Sequence, residues 1–99
     1  MQHQQVPDEL LTLRQEIDRI DDALVDLLSE RFKVTARVGE LKARNSLDSV
    51  DPVREQEKLE RLRALAEELG LNTDFVLDLF QTIFSEVVKN HRSYLKQSD

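Results

Sequence analysis

Arg31 breaks an otherwise regular apolar repeat, and chemistry first becomes legible at that break. Apolar residues recur at Leu10, Leu13, Ile17, Ile20, Leu24 and Leu27 in steps of three and four, and the next step falls on Arg31. Lys42 stands on nearly the same side of a helix, because the intervening eleven steps of ~100° complete about three turns. Thr35, Val38 and Gly39 lie between them on that face. A glycine there costs helix propensity but lets a ligand or a second helix approach closely. Further on, Glu55 shares the face of Leu59, Leu62 and Ala66, with Arg54 beside it and Asp51 at a helix start. His91 ends a stripe formed by Phe80, Phe84 and Val87.

Each of these residues, taken alone, has a purely structural explanation. Arg31 and Lys42 can snorkel to solvent from the edge of a bundle. Asp51 can cap a helix and Glu55 can face the positive end of its dipole. A histidine ending an apolar face is ordinarily a partly buried, satisfied residue. Taken together, however, three helices each place a polar group on a face that should be core. A polar pocket between bundle helices accommodates all of them. Several cations with one carboxylate and one imidazole suit a small polyanion that also carries a hydroxyl.

The elements that must position these groups are helices. Glycine and proline total four residues, and they punctuate the chain. Pro7 with Asp8 and Glu9 reads as a helix start, with proline at the first helical position and acids in the first turn. No breaker follows until Asn45-Ser46-Leu47-Asp48-Ser49, so the first helix runs roughly from Pro7 to Arg44. Its apolar repeat resumes at Val34, Val38 and Leu41. At 1.5 Å per residue this helix is ~55 Å long, whereas a compact chain of this size has a radius of gyration near ~13 Å. It must extend beyond its own core, and a second chain is the obvious cover. The second helix opens at Asp51-Pro52, carries Leu59, Leu62, Ala66 and Leu69 on one face, and stops at Gly70. Asn72-Thr73-Asp74 caps a third, whose apolar face is Val76, Phe80, Ile83, Phe84, Val87 and Val88, continuing to Leu95. The expected fold is all-α, a single domain over residues 1–99, with a flexible tail at 1–7 and frayed residues at 96–99.

Arg14 adds a geometric constraint. It lies about 25 Å along a straight helix from Arg31 and roughly 100° around it. A small ligand cannot touch both within one chain, so an Arg14 that serves the site comes from a partner subunit.

Composition narrows the alternatives. Twenty acidic against fourteen basic residues give the 99-residue chain a net charge of −6, which argues against a nucleic-acid partner. The absence of cysteine excludes disulfides and thiolate metal sites, and two histidines make a zinc site improbable. No apolar run approaches membrane-spanning length. The start has neither the basic nor the apolar region of a signal peptide, so the expected location is cytoplasmic.

The series Leu13-Arg14-x-x-Ile17-Asp18-x-Ile20-Asp21, Leu27-Leu28-x-Glu30-Arg31 and Val38-Gly39-x-x-Lys42 resembles the AroQ-type chorismate mutases. Asp51-x-x-Arg54-Glu55, Leu59-Glu60-Arg61-Leu62 and Leu79-Phe80-Gln81 extend the resemblance, which covers about Leu10 to Leu95. Any one fragment is weak; the ordered set is specific.

The resemblance implies a three-helix chain dimerised through its long first helices, with two equivalent sites. It implies the Claisen rearrangement of chorismate to prephenate, a unimolecular step toward phenylalanine and tyrosine that uses no cofactor and no metal. Such an enzyme holds the dicarboxylate in a compact chair and stabilises charge developing on the breaking ether oxygen. By the same resemblance, Arg14 of the partner chain and Arg31 clamp the two carboxylates. Lys42 donates to the ether oxygen and reaches a carboxylate. Glu55, with the backbone near Asp51, takes the ring hydroxyl, and Arg54 organises the acids. Two positions depart from the bacterial pattern. Val87 stands where the family often has a serine near the ring carboxylate. Ser85 lies ~200° around the helix from it and does not replace it. His91 stands where the family has glutamine or glutamate beside the ether oxygen, and an imidazole can donate there.

Three rival readings remain at this point. The same fold can serve an isochorismate-pyruvate lyase. A non-catalytic helical dimerisation module explains the apolar repeat but not Arg31, Lys42, Glu55 and His91 on inner faces. The chain can also be a regulatory partner of another aromatic-pathway enzyme.

Overall fold

Three helices in sequence account for nearly all of the described chain: α1 over Asp8–Arg44, α2 over Pro52–Glu68 and α3 over Thr73–Gln97. This computed structural model describes residues 6–48 and 50–97, and side chains as far as Arg92. Of the expected tail at 1–7 and frayed end at 96–99, residues 1–5 and 98–99 lie outside the described residues, as does the side chain of Leu95, and α3 runs through Gln97. Among the described residues there is no strand, as an all-α chain requires.

The helix boundaries follow the local chemistry read from the sequence. α1 begins one residue later than expected. The Pro7 carbonyl accepts the Leu11 N–H at 3.1 Å, so proline precedes the helix as its cap, and Asp8 and Glu9 occupy the first turn. α2 is capped by Asp51, extended at φ −126°, whose carboxylate accepts the Arg54 N–H at 3.1 Å with Pro52 in the first turn. α2 is closed off just beyond its last residue by Gly70, whose φ of 72° is left-handed. There Leu71 N–H donates to the Ala66 carbonyl at 2.8 Å and Gly70 N–H to that of Glu67 at 3.1 Å, the paired bonds of a Schellman turn. Asn72 then caps α3 by accepting the Phe75 N–H at 3.0 Å.

The chain divides into two compact units, Met1–Lys33 and Val34–Asp99. In the first, the apolar repeat of α1 lies open: Leu13, Ile17, Ile20, Leu24 and Leu27 are 48 to 60% exposed. In the second, α2 packs on α3. Leu62, Ala66 and Ile83 are buried, and Val76, Phe80, Phe84, Val87 and Val88 are half-buried along the expected face of α3. Phe80 and Phe84 meet with ring centroids 6.2 Å apart, tilted at 59°. Leu69 departs from the expected α2 face. It is the residue after the helix and lies exposed, because the Schellman turn carries it past the last packed position. No described helix is long and apolar enough to cross a membrane.

Candidate active site

The short connection between α2 and α3, closed by the Gly70 turn and the Asn72 cap, makes the two helices antiparallel neighbours. Equal counts back from that turn bring Glu55 level with about residue 86. A groove of about 680 Å³ opens between them at that level. Val50, Glu55 and Leu59 line one wall, and Gln81, Phe84, Ser85, Val88, Lys89 and Arg92 of α3 line the other. Leu59, Phe84 and Val88 give it an apolar floor. Glu55 faces an environment with two cations, and Gln81 and Ser85 add neutral hydrogen-bonding groups. Such a lining can hold a small ring bearing a negative charge and a hydroxyl.

Of the residues singled out in the sequence, Glu55 lines this groove and is half-buried. Lys42, Asp51, Arg54, Val87 and His91 belong to the same unit but not to the lining of the groove. Lys42 and Val87 are half-buried, and Asp51 and Arg54 are exposed, joined through the α2 cap. Gly39, on the α1 face that carries Lys42, is buried. His91 is the buried polar residue of the described chain, 3% exposed, and its Nε2 has no hydrogen-bond partner among the described residues. Burying an imidazole nitrogen without a partner costs free energy that a bound ligand can recover. Arg14 and Arg31 belong to the first unit. Arg14 is exposed, whereas Arg31 is half-buried, and that burial lowers its guanidinium pKa by desolvation. An arginine remains charged in spite of this.

Ser85, Lys89 and Arg92 line the groove without having been singled out as site residues. The signal was present as polar residues at helical spacing, since Gln81, Ser85 and Arg92 follow one another at intervals of four and seven. They read as a solvated face because the apolar stripe of Phe80, Phe84 and Val87 dominates α3.

The family model for chorismate mutase type II matches residues 13–92. The T-protein of Enterobacter agglomerans is 38% identical over 91 residues, covering 92% of this chain and 23% of the T-protein. A bifunctional chorismate mutase/prephenate dehydratase of Buchnera aphidicola subsp. Schizaphis graminum is 36% identical over 89 residues, covering 90% of this chain and 23% of that protein. A protein of the same name from Aquifex aeolicus is 44% identical over 62 residues, which is 63% of this chain and 17% of that protein. The chain thus spans about a quarter of the length of the first two relatives.

Proposed function

The chain belongs to the type II chorismate mutase family, and we propose that it catalyses the rearrangement of chorismate to prephenate as a homodimer. The observation that carries this reading is the match over residues 13–92, which contains every residue expected to act. That match also runs through both compact units, so the catalytic domain takes in α1 as well as the α2–α3 pair.

The reaction forms one carbon–carbon bond and breaks one carbon–oxygen bond within a single molecule, so the protein's task is positioning and charge. Arg31 and the partner chain's Arg14 fix the two carboxylates, where planar guanidinium forks hold both oxygens of each. Lys42 meets the ether oxygen as negative charge grows on it. His91 supplies the second donor there, a role supported by its Nε2 having no hydrogen-bond partner among the described residues. Glu55, already in a groove, accepts the ring hydroxyl, with Asp51 and Arg54 setting the start of α2 beneath it. Val87 contributes an apolar flank.

The open face of α1 supports the dimer. Leu13, Ile17, Ile20, Leu24 and Leu27 form a long apolar stripe at coiled-coil spacing, more than one chain in water leaves uncovered. Covering each contributes on the order of 1 kcal/mol. A cytoplasmic setting fits a substrate that is itself a soluble metabolite. Relatives named for a second aromatic-pathway activity make a partner enzyme of that pathway a natural companion.

The test is proton NMR of the purified protein with chorismate and, separately, isochorismate at neutral pH, with and without a chelator. Conversion of chorismate to prephenate, indifferent to the chelator, is the expected result. Pyruvate release from isochorismate with chorismate left intact overturns it in favour of a lyase. Persistence of both substrates overturns the claim that this chain is active alone.

A further inference from the structure

We propose that Arg92, assisted by Lys89, binds a carboxylate of the substrate from the α3 wall of the groove, opposite Glu55. This rests on the chorismate reading and adds a binding residue to it.

Three observations lead there. First, the groove that holds Glu55 also holds Lys89 and Arg92, so two cations stand against one carboxylate on a chain whose overall charge is −6. A dianion approaching an acidic protein is repelled on average, and a local excess of cations on one face offsets that repulsion where it matters. Second, Gln81, Ser85, Val88 and Arg92 share one stripe of α3 and all line the groove. Ring atoms resting on Phe84 and Val88 therefore have Arg92 at one end of the stripe and Glu55 across it. The groove thus offers a carboxylate and a hydroxyl of one ligand opposite partners at once. Third, the expected clamp by Arg31 and the partner chain's Arg14 uses two of the roughly four lone-pair sites of each carboxylate, so a further donor on α3 can join it. Arg92 is the arginine the groove supplies, with a fork that binds both carboxylate oxygens.

Arg92 and Lys89 are exposed, so the contact is partly screened by water and acts on capture more than on the rearrangement itself. Arg92→Gln in the full chain is expected to raise KM for chorismate about tenfold, the usual scale for losing one hydrogen bond to a charged group, with kcat within about twofold. Arg92→Lys should recover part of the loss, and the wild type's fall in kcat/KM with added salt should flatten in Arg92→Gln. Arg63→Gln, which removes the same charge from an exposed position of α2 away from the groove, serves as the control. A KM unchanged in Arg92→Gln overturns the proposal, as does an equal rise in Arg63→Gln. Wild-type protein that leaves chorismate untouched marks failure of the underlying reading, whereas active wild type with an indifferent Arg92→Gln marks failure of this inference alone.

Discussion

The Leu47 N–H donates to the carbonyl of Lys42 at 2.8 Å, so the chain leaving α1 doubles back onto the residue expected to meet the ether oxygen. Its companion bond runs from Ser46 N–H to the Ala43 carbonyl at 3.2 Å. Together they repeat at the end of α1 the turn that Gly70 makes at the end of α2. The difference is that Ser46, a residue with a Cβ, holds the left-handed position at φ 55°. The last turn of α1 therefore carries strain beside a site residue.

Relief of that strain is measurable. Ser46→Gly should stabilise the protein by about 0.5–1 kcal/mol, the left-handed penalty less the extra freedom glycine gives the unfolded chain. Gly70→Ala should do the reverse, costing about 1 kcal/mol through backbone conformation alone, since an added Cβ there meets nothing within 4 Å. Urea unfolding at fixed protein concentration reads both. An Ser46→Gly midpoint at or below that of the wild type would show that the turn is not strained.

His91 offers a sharper distinction between structure and catalysis. Only 3% exposed as a residue, and with Nε2 unpartnered among the described residues, it is an inefficient way to fill a core. If it donates to the ether oxygen, His91→Ala lowers kcat by about 10²-fold, the usual loss for a transition-state donor. His91→Gln, which keeps a donor of similar reach, should retain most of the activity. A His91→Ala kcat within twofold of the wild type removes the catalytic role. A stability loss alone, without the glutamine rescue, makes the residue structural.

Asp51 has two tasks that substitution separates. Its carboxylate caps α2 through the Arg54 N–H, so Asp51→Ala should cost about 1 kcal/mol of stability, whereas Asp51→Asn, an equally good cap, should cost a few tenths. If the residue serves the substrate only through its backbone, Asp51→Asn leaves KM unchanged. Thermal unfolding beside steady-state kinetics on the same two variants reads each task.

The fold was legible because its signals are local. Apolar spacing, Asp51, Gly70 and Asn72 each act within a few residues of where they stand, and they place all three helices to within a residue or two. The site was legible in part. Glu55 and His91 betrayed themselves as polar groups on apolar faces, and the structure finds one in a groove and the other buried. Ser85, Lys89 and Arg92 gave no such contradiction, because a polar residue on a polar face of α3 looks solvated until α2 is packed beside it. That pairing is set by where the turn at Gly70 lets the helices meet, a tertiary fact beyond the reach of spacing on one helix.

The cross-subunit role of Arg14 admits a test by complementation. Arg14 is exposed on the open face of α1, and about 25 Å of straight helix separates it from Arg31. If each site takes Arg14 from one chain and Lys42 from the other, Arg14→Ala and Lys42→Ala are both nearly inactive as pure dimers. Mixed and allowed to exchange subunits, they form heterodimers in which one site receives both wild-type residues and the other neither. Random pairing at equal amounts makes half of the dimers mixed, so activity should recover to about a quarter of the wild type. If both residues instead came from one chain, no mixture could assemble an intact site, and activity would stay at the level of the separate variants. Leu24→Asp, which places a charge in the middle of the α1 stripe, should abolish both the dimer, read by light scattering, and the recovery. Recovery that survives in a monomeric Leu24→Asp background would rule out exchange through this face.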